Sequence, residues 1–327
     1  MRLYPITRFL MKSTLTLVFS LCFFISMAQS AFEKGKKLYE ERKLTEAKKI
    51  FSAFNEDQRD YAAAQYYLGR IAFDENNLDD AEEFFEEALD KNDQVAEYHN
   101  WYGNALGTIA QDANVVRQGM LAPKMKNAWE KAVELNPQYV EPRQSLIQFY
   151  LQAPGFMGGS TDKAKEMAIE IKKVKPAEGH RQLGNIYLKE KKTAEAEKEF
   201  VAMAKVDPQY TSALANFYVG QQQFDKAFGL FDEALKKNPE DMLAAYQYGR
   251  TSAVSGQRLD QGETYLKKYL TYSPKPNEPS HAGANMRLAQ IHEKRGNKSE
   301  AKRLYETALK MDSSLKDAKE GLARVSN

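Results

Sequence analysis

A chain of 327 residues has room for two or three globular domains or for one extended repeat array. Its 18 glycines and 11 prolines are few for that length, which favours helices over a turn-dense β architecture. The formal charge of +2 falls to 44 basic against 45 acidic residues once Arg2, Arg8 and Lys12 are set aside, and with no basic block nothing supports a nucleic-acid partner.

Those three cations stand in an acid-free opening segment. Residues 1–28 read as a secretory signal peptide, with a basic start, an apolar run from Leu15 to Met27 and a small-x-small site at Ser26-Met27-Ala28. Cleavage before Gln29 is the preferred site, with cleavage after Ser30 next. The apolar run is shorter than the roughly 20 residues a membrane span needs, so no span is expected in the mature chain. The start is open between Met1 and Met11, since MKSTLTLVFS is a complete n-region by itself. Cys22, the one cysteine, follows the bulky Leu21, which argues against a lipid anchor. Cleavage leaves a mature protein without thiol, disulfide or cysteine metal ligand, placed in the periplasm or outside the cell.

From residue 31 onward one unit recurs, and Ala62 to Val95 shows it most plainly. Leu68-Gly69 is followed by Ala81, Phe85 and Ala88, small residues that let two antiparallel helices approach and large ones that fill the gaps between them. Asn76-Asn77 marks the turn. Gly35, Gly69 and Gly103 are 34 residues apart, and the small, aromatic, small ladder returns as Ala47, Phe51; Ala196, Phe200; Ala227, Phe231, Ala234; and Ala301, Tyr305, Ala308. Pro137, Pro176, Pro208, Pro239 and Pro274 each stand five residues after the last ladder position, where a proline ends one helix and begins the next. A single hairpin of this kind cannot bury its apolar face alone, so copies must stack.

In period and ladder the chain resembles the tetratricopeptide repeat family. The resemblance implies an all-α fold, a right-handed superhelical solenoid of about eight helical hairpins with a C-terminal capping helix. The repeats are read as 31–61, 62–95, 96–137, 138–176, 177–210, 211–241, 242–274 and 279–313, with a cap over 315–325, all within one array from 29 to 327. In the seventh, Gly262, Leu266 and Tyr269 replace the usual ladder, and Ser273 to Pro279 forms a stiff connector.

Two larger departures are adjacent. About ten extra residues, against the 34-residue norm, lie between Gly103 and Trp129 of the third repeat. They are carried by Gly107 to Lys124, which either lengthens both helices or adds a short one. In the fourth, Ala153-Pro154-Gly155-Phe156-Met157-Gly158-Gly159 precedes a helix starting near Asp162. The long third unit and this Ala-Pro-Gly-x-Met-Gly-Gly loop look similar to secreted bacterial tetratricopeptide proteins, a likeness that brings no assigned activity. The tip Phe156-Met157 either folds back over the third repeat or stands out as an anchor for a partner.

No nucleophile is paired with a base, and no acid-base cluster is evident, so no catalytic residue and no enzyme activity are assigned. His99, His180 and His292 occupy repeat positions that large packing residues fill, and with neither HExxH nor paired-ligand spacing no metal or other cofactor is expected. Gly158-Gly159-Ser160-Thr161-Asp162 leads into a helix N-terminus, as phosphate loops do. It lacks the GxxxxGK[ST] spacing and a preceding strand, so Ser160, Thr161 or Asp162 reads more simply as an N-cap.

What remains is the inner face. Helical spacing aims residues three before, one after and four after the small position at it. The residue just after is Lys36, Arg70, Asn104, Leu146, Asn185, Asn216, Arg250 or Gln290, polar in seven repeats of eight, with Tyr66, Phe73, Asn100, Phe149, Arg181 and Tyr246 beside them. Amides pair with a peptide backbone, while Tyr and Arg are frequent interface anchors. Arg181 and Asn185 resemble one half of the family's clamp for a C-terminal carboxylate, although Ala213 stands where the next repeat would supply another Asn. The expected function is a non-catalytic scaffold or adaptor that binds a protein or peptide through Arg70, Asn100, Asn104, Arg181, Asn185, Asn216, Tyr246 and Arg250. The alternatives are a solvated polar face without a partner, or a small-molecule site between the third-repeat insertion and the loop at 153–160.

Overall fold

The computed structural model describes residues 31–326; the segment read as a signal peptide, with Cys22, lies outside them. All regular structure among the described residues is helical, as expected, and the chain divides into two units, Met1–Lys175 and Pro176–Asn327.

The first unit holds four antiparallel hairpins: α1 (31–40) with α2 (Leu44–Phe51), α3 (Tyr61–Asp74) with α4 (Leu78–Lys91), α5 (Ala96–Asp112) with α6 (Val115–Leu135), and α7 (Val140–Gln152) with α8 (Thr161–Val174). The ladder residues Ala47, Phe51, Ala81, Phe85 and Ala88 are wholly buried. The glycines opposite them are needed for close approach: a Cβ on Gly69 would come within 2.7 Å of the Phe85 ring, and one on Gly103 within 2.6 Å of the Trp129 indole. The first turn of the template is made by Asn76, whose φ of 61° is left-handed, a conformation asparagine adopts more readily than most residues.

The residues added to the third repeat are spent on helix. α5 has 17 residues and α6 has 21, against 14 in each of α3 and α4. α6 runs through Pro123, which has no N–H to offer the Gly119 carbonyl one turn back and costs an exposed helix about 3 kcal/mol. Burial of its neighbours Leu121 and Ala122 offsets that cost.

The second unit repeats the scheme with α9 (Pro176–Lys189) and α10 (Thr193–Val206), α11 (Thr211–Gly220) and α12 (Phe224–Lys237), α13 (Met242–Ser255) and α14 (Leu259–Tyr269), and α15 (His281–Lys294) and α16 (Lys298–Met311). In the seventh repeat Leu266 and Tyr269 are fully buried despite the altered ladder. α17 (Lys316–Ser326) packs on α16 through Ala318 and Val325, and Gly321 lies so close to the Tyr305 ring that no side chain fits there. Arg324 then donates to Glu293 at 2.7 Å, tying α17 to α15.

Candidate binding site

The first helices of successive hairpins touch one another, α3 with α5 and α5 with α7 in the first unit, and α11, α13, α15 and α17 in the second. Within each unit these contacts set residues just after the small positions along a row of first helices, a strip of Arg70, Asn104 and Leu146 in the first unit and of Asn216, Arg250 and Gln290 in the second. Their environments differ sharply between the two units.

In the first unit the strip is largely self-satisfied. Arg70 lies 3.6 Å above the centre of the Trp101 ring and donates to the Tyr66 hydroxyl at 2.8 Å, a cation-π contact reinforced by a hydrogen bond. Asn104 accepts from Trp129 Nε1 at 3.0 Å and from Ser145 Oγ at 3.4 Å, which joins α5, α6 and α7. Leu146 is buried. Asn100 is only 2% exposed and donates to the Tyr139 hydroxyl at 3.0 Å, so it is a core residue rather than a contact for a partner. Its Oδ1 has no hydrogen-bond partner among the described residues. Helical spacing aims Asn100 inward as expected, but the next hairpin covers it.

In the second unit the strip is more open. Asn185 is exposed and makes no side-chain hydrogen bond among the described residues, and Asn216 is exposed and accepts from Arg250 Nη1 at 3.3 Å across the gap between α11 and α13. Arg250 also donates to Gln247 at 3.2 Å, and Arg181 is held by Glu178 through two hydrogen bonds of 2.7 and 2.8 Å. That paired carboxylate contact occupies the guanidinium edge a peptide terminus would use. Tyr246 departs from the expectation: it is buried, its ring 5.0 Å from that of Tyr269.

A concavity of the first unit takes in Asn104 of the polar strip together with residues beyond it. A cleft of about 610 Å³ opens between α3, α5, α6, α7 and the loop that follows α7. Its deeper surface is formed by Trp129, Phe149 and Ala122, all buried, with Phe73, Trp101 and Met125 half-buried above them. Around the opening stand Gln111, Gln148 and Gln152, exposed and without side-chain hydrogen bonds to the described residues, and Gln118, which donates to the Ala110 carbonyl at 3.0 Å. No charged side chain is among the described residues that line it. The helical spacing identified Phe73, Asn104 and Phe149. It missed Trp101, Met125 and the glutamines, because exposed amides on a helix resemble any solvated face and their convergence depends on tertiary contact.

The loop supplies one wall of this cleft through Ala153, Pro154 and Met157. Gly155–Met157 form one 3₁₀ turn, and the Met157 methyl lies 3.6 Å from the position a Gly119 Cβ would take, so this side chain folds back on α6. Phe156 points the other way and is 86% exposed. The two open readings of the tip thus divide between its two residues. Gly158 adopts φ 101°, and Gly159 sits directly against the Ala153 carbonyl. The amides of the loop are consumed internally, Gly159 N–H donating to Pro154 O at 3.1 Å and Ser160 N–H to Tyr150 O at 2.9 Å. Ser160 is the N-cap, its hydroxyl accepting from Lys163 N–H at 3.3 Å, which removes the basis for an anion site there.

Each histidine has a local partner. His99 meets the Asp93 carbonyl at 2.8 Å, His180 pairs with Glu199 at 2.6 Å, His281 meets the Tyr272 carbonyl at 2.7 Å, and the buried His292 lies 3.5 Å from Glu263. Among the described residues no group of three or more His, Cys, Asp or Glu is placed to hold a metal ion, and no helix is long and apolar enough to cross a membrane.

Comparison with known proteins bears on this architecture. Solved structures similar to the chain include a tetratricopeptide repeat protein from Parabacteroides merdae ATCC 43184, 17% identical over 81% of this chain and 99% of that one, with a TM-score of 0.52. MamA is 20% identical over 54% of this chain and 95% of its own, with a TM-score of 0.44. TTC0263, a thermophilic tetratricopeptide protein of Thermus thermophilus, is 21% identical over 58% and 98%, with a TM-score of 0.39. No curated protein sequence matches the chain. Models of the tetratricopeptide repeat match residues 32–106, 212–279 and 282–315, together more than half of the sequence. The stacked hairpins, the buried ladder and these matches show that the chain belongs to the tetratricopeptide repeat family.

Proposed function

We propose that the protein is a non-catalytic scaffold of the cell envelope that binds a protein or peptide partner along the strip formed by its first helices. Tetratricopeptide proteins are in general protein-interaction scaffolds, and family membership supports the class of activity. The observation that carries the placement is the open strip of the second unit. Asn185 and Asn216 are exposed on helices whose neighbouring positions, Leu183, Gly184, Leu214 and Ala215, are buried. Amides held on rigid helices offer donors and acceptors to a partner backbone without the entropy of ordering a loop. Arg250, already oriented by Asn216 and Gln247, presents a preorganised cation beside them, while Arg181 is engaged by Glu178 and contributes the outer edge of its side chain.

The test is partner capture by the full mature chain, compared with an Arg181→Ala/Asn185→Ala/Asn216→Ala variant. Crosslinking in the native envelope fraction is expected to retain a partner on the parent protein and to lose about tenfold or more of it on the variant, with helical circular dichroism unchanged. Equal capture by the two proteins would exclude the strip. Export is checked on the same material: a mature N-terminus at Gln29 is expected, and an uncleaved chain confined to the cytoplasm would refute it.

A further inference from the structure

The cleft of the first unit has a different chemistry from the strip of the second. In a sequence in which 28% of residues are charged, it is bounded without one charged side chain among the described residues. Burying an ion among such groups would forfeit its hydration without a charged side chain in the lining to replace it, and Arg70 beside Trp101 already has its charge engaged by that ring and by the Tyr66 hydroxyl, so the lining favours a neutral occupant. Its volume of about 610 Å³ falls within the range of small-molecule sites.

Polar and apolar groups are also sorted by depth. The buried floor is Trp129 and Phe149, with the half-buried Phe73, Trp101, Met125 and Met157 completing an aromatic and thioether surface. The exposed amides without side-chain hydrogen bonds to the described residues stand at the opening. Gln148 and Gln152 are one helical turn apart on α7 and Gln111 is at the end of α5, while the half-buried Gln118, early in α6, has its Nε2 engaged by the Ala110 carbonyl and keeps its Oε1 as an acceptor. Each amide carries two donors and an acceptor, so an occupant that satisfies them must both donate and accept. The hydroxyls and indole N–H deeper in the cleft are already used: Thr108 donates to the Asn104 carbonyl at 3.0 Å, and Ser145 and Trp129 donate to the Asn104 side chain.

We propose that this cleft is a saccharide site, taking a neutral pyranose-containing mono- or oligosaccharide. A pyranose carries hydroxyls, each both donor and acceptor, around its periphery and apolar C–H surfaces on its faces. An apolar floor with a surrounding set of planar amides is complementary to that distribution. A through-running peptide is less well matched, because its donors and acceptors alternate along a line, while these amides are dispersed over three walls and the loop at Pro154 and Met157 bounds the cleft. The site is separate from the strip in the second unit and does not depend on it.

The chain has two tryptophans, Trp101 and Trp129, and both line the cleft, so tryptophan emission excited beyond the tyrosine absorption band reports on this site. Titrating the full mature protein with maltotriose, cellotriose and triacetylchitotriose, up to about 10 mM each, is expected to give a saturable change in emission with at least one of them. Gln148→Ala/Gln152→Ala, altering exposed side chains only, is expected to weaken that binding about tenfold or more, with the unfolding temperature unchanged. The variant altered at Arg181, Asn185 and Asn216 should titrate like the parent, which separates failure here from failure of the partner strip. No emission change with any of the three sugars would overturn the proposal, as would a change retained in full by the double glutamine variant. A response to an uncharged, end-capped tetrapeptide and to no sugar would overturn it in favour of a peptide site.

Discussion

Glu263 shows how strongly a single side chain can be conditioned by repeat packing. It sits on α14, with Lys267 one turn on at 2.6 Å, Arg295 of the next hairpin in direct contact, and His292 at 3.5 Å. Burial pushes its carboxyl up, but the hydrogen bonds from Lys267 and Arg295 outweigh that and hold it at about 2. An unfolded glutamate titrates at about 4.3. A carboxyl depressed in the folded state contributes stability that is present above the unfolded value and is lost as pH falls toward 2. We therefore expect Glu263→Gln to cost on the order of 2 kcal/mol at neutral pH and to flatten the acid dependence of stability between about pH 4.5 and 2. Denaturant unfolding at several pH values measures this, and an unchanged slope for the variant would refute it. None of this was legible in the sequence, because Glu263 and Arg295 are separated by 32 positions and charged residues are spread throughout the chain. The same holds for Gln111, Gln148 and Gln152: their residue type is ordinary on a helix surface, and only the meeting of α5, α6 and α7 gives them a common target.

At the scale of the element, the loop after α7 is the clearest case of a motif whose glycines have separate physical reasons. Gly158 is required by its left-handed backbone, with φ 101°. Gly159 is required by space, since any Cβ there would run into the Ala153 carbonyl, a backbone group that cannot swing aside. Gly159→Ala should therefore open the loop, with a stability cost of about 1–3 kcal/mol. It should also free Met157 from α6 and so alter the cleft wall, which Trp emission detects without any ligand. Gly155→Ala is the control, because a Cβ there meets nothing within 4 Å. Equal effects of the two substitutions would contradict the spatial argument. The sequence marked this loop and Gly107 to Lys124 as departures from the repeat, since a fixed period makes insertions visible. It left open whether the added residues form a new helix, because both forms satisfy the same composition; the answer, longer α5 and α6, rests on burial of Leu121 and Ala122 beside an awkward Pro123.

For the whole molecule the ladder was legible because it depends on neighbours within one period: Gly69 against Phe85, Gly103 against Trp129 and Gly321 against Tyr305 are each local pairs. That locality has a thermodynamic consequence. In repeat arrays stability is approximately a sum of repeat terms and nearest-neighbour interface terms, so a boundary between cores is a place where the chain can be divided. The apolar clusters built on Phe51, on Phe85 and on Leu106 lie within the first unit, and those built on Phe231 and on Tyr305 lie within the second. Fragments 31–175 and 176–327, expressed separately, are expected to be helical, each with a cooperative thermal transition, and their summed ellipticity should approach that of the full mature chain. The first fragment should keep the tryptophan emission of the parent, because its cleft draws on no residue beyond Met157. The second should keep partner capture through Asn185, Asn216 and Arg250. A fragment that is unfolded in isolation would show that the two cores stabilise one another, and would contradict the nearest-neighbour argument for this chain.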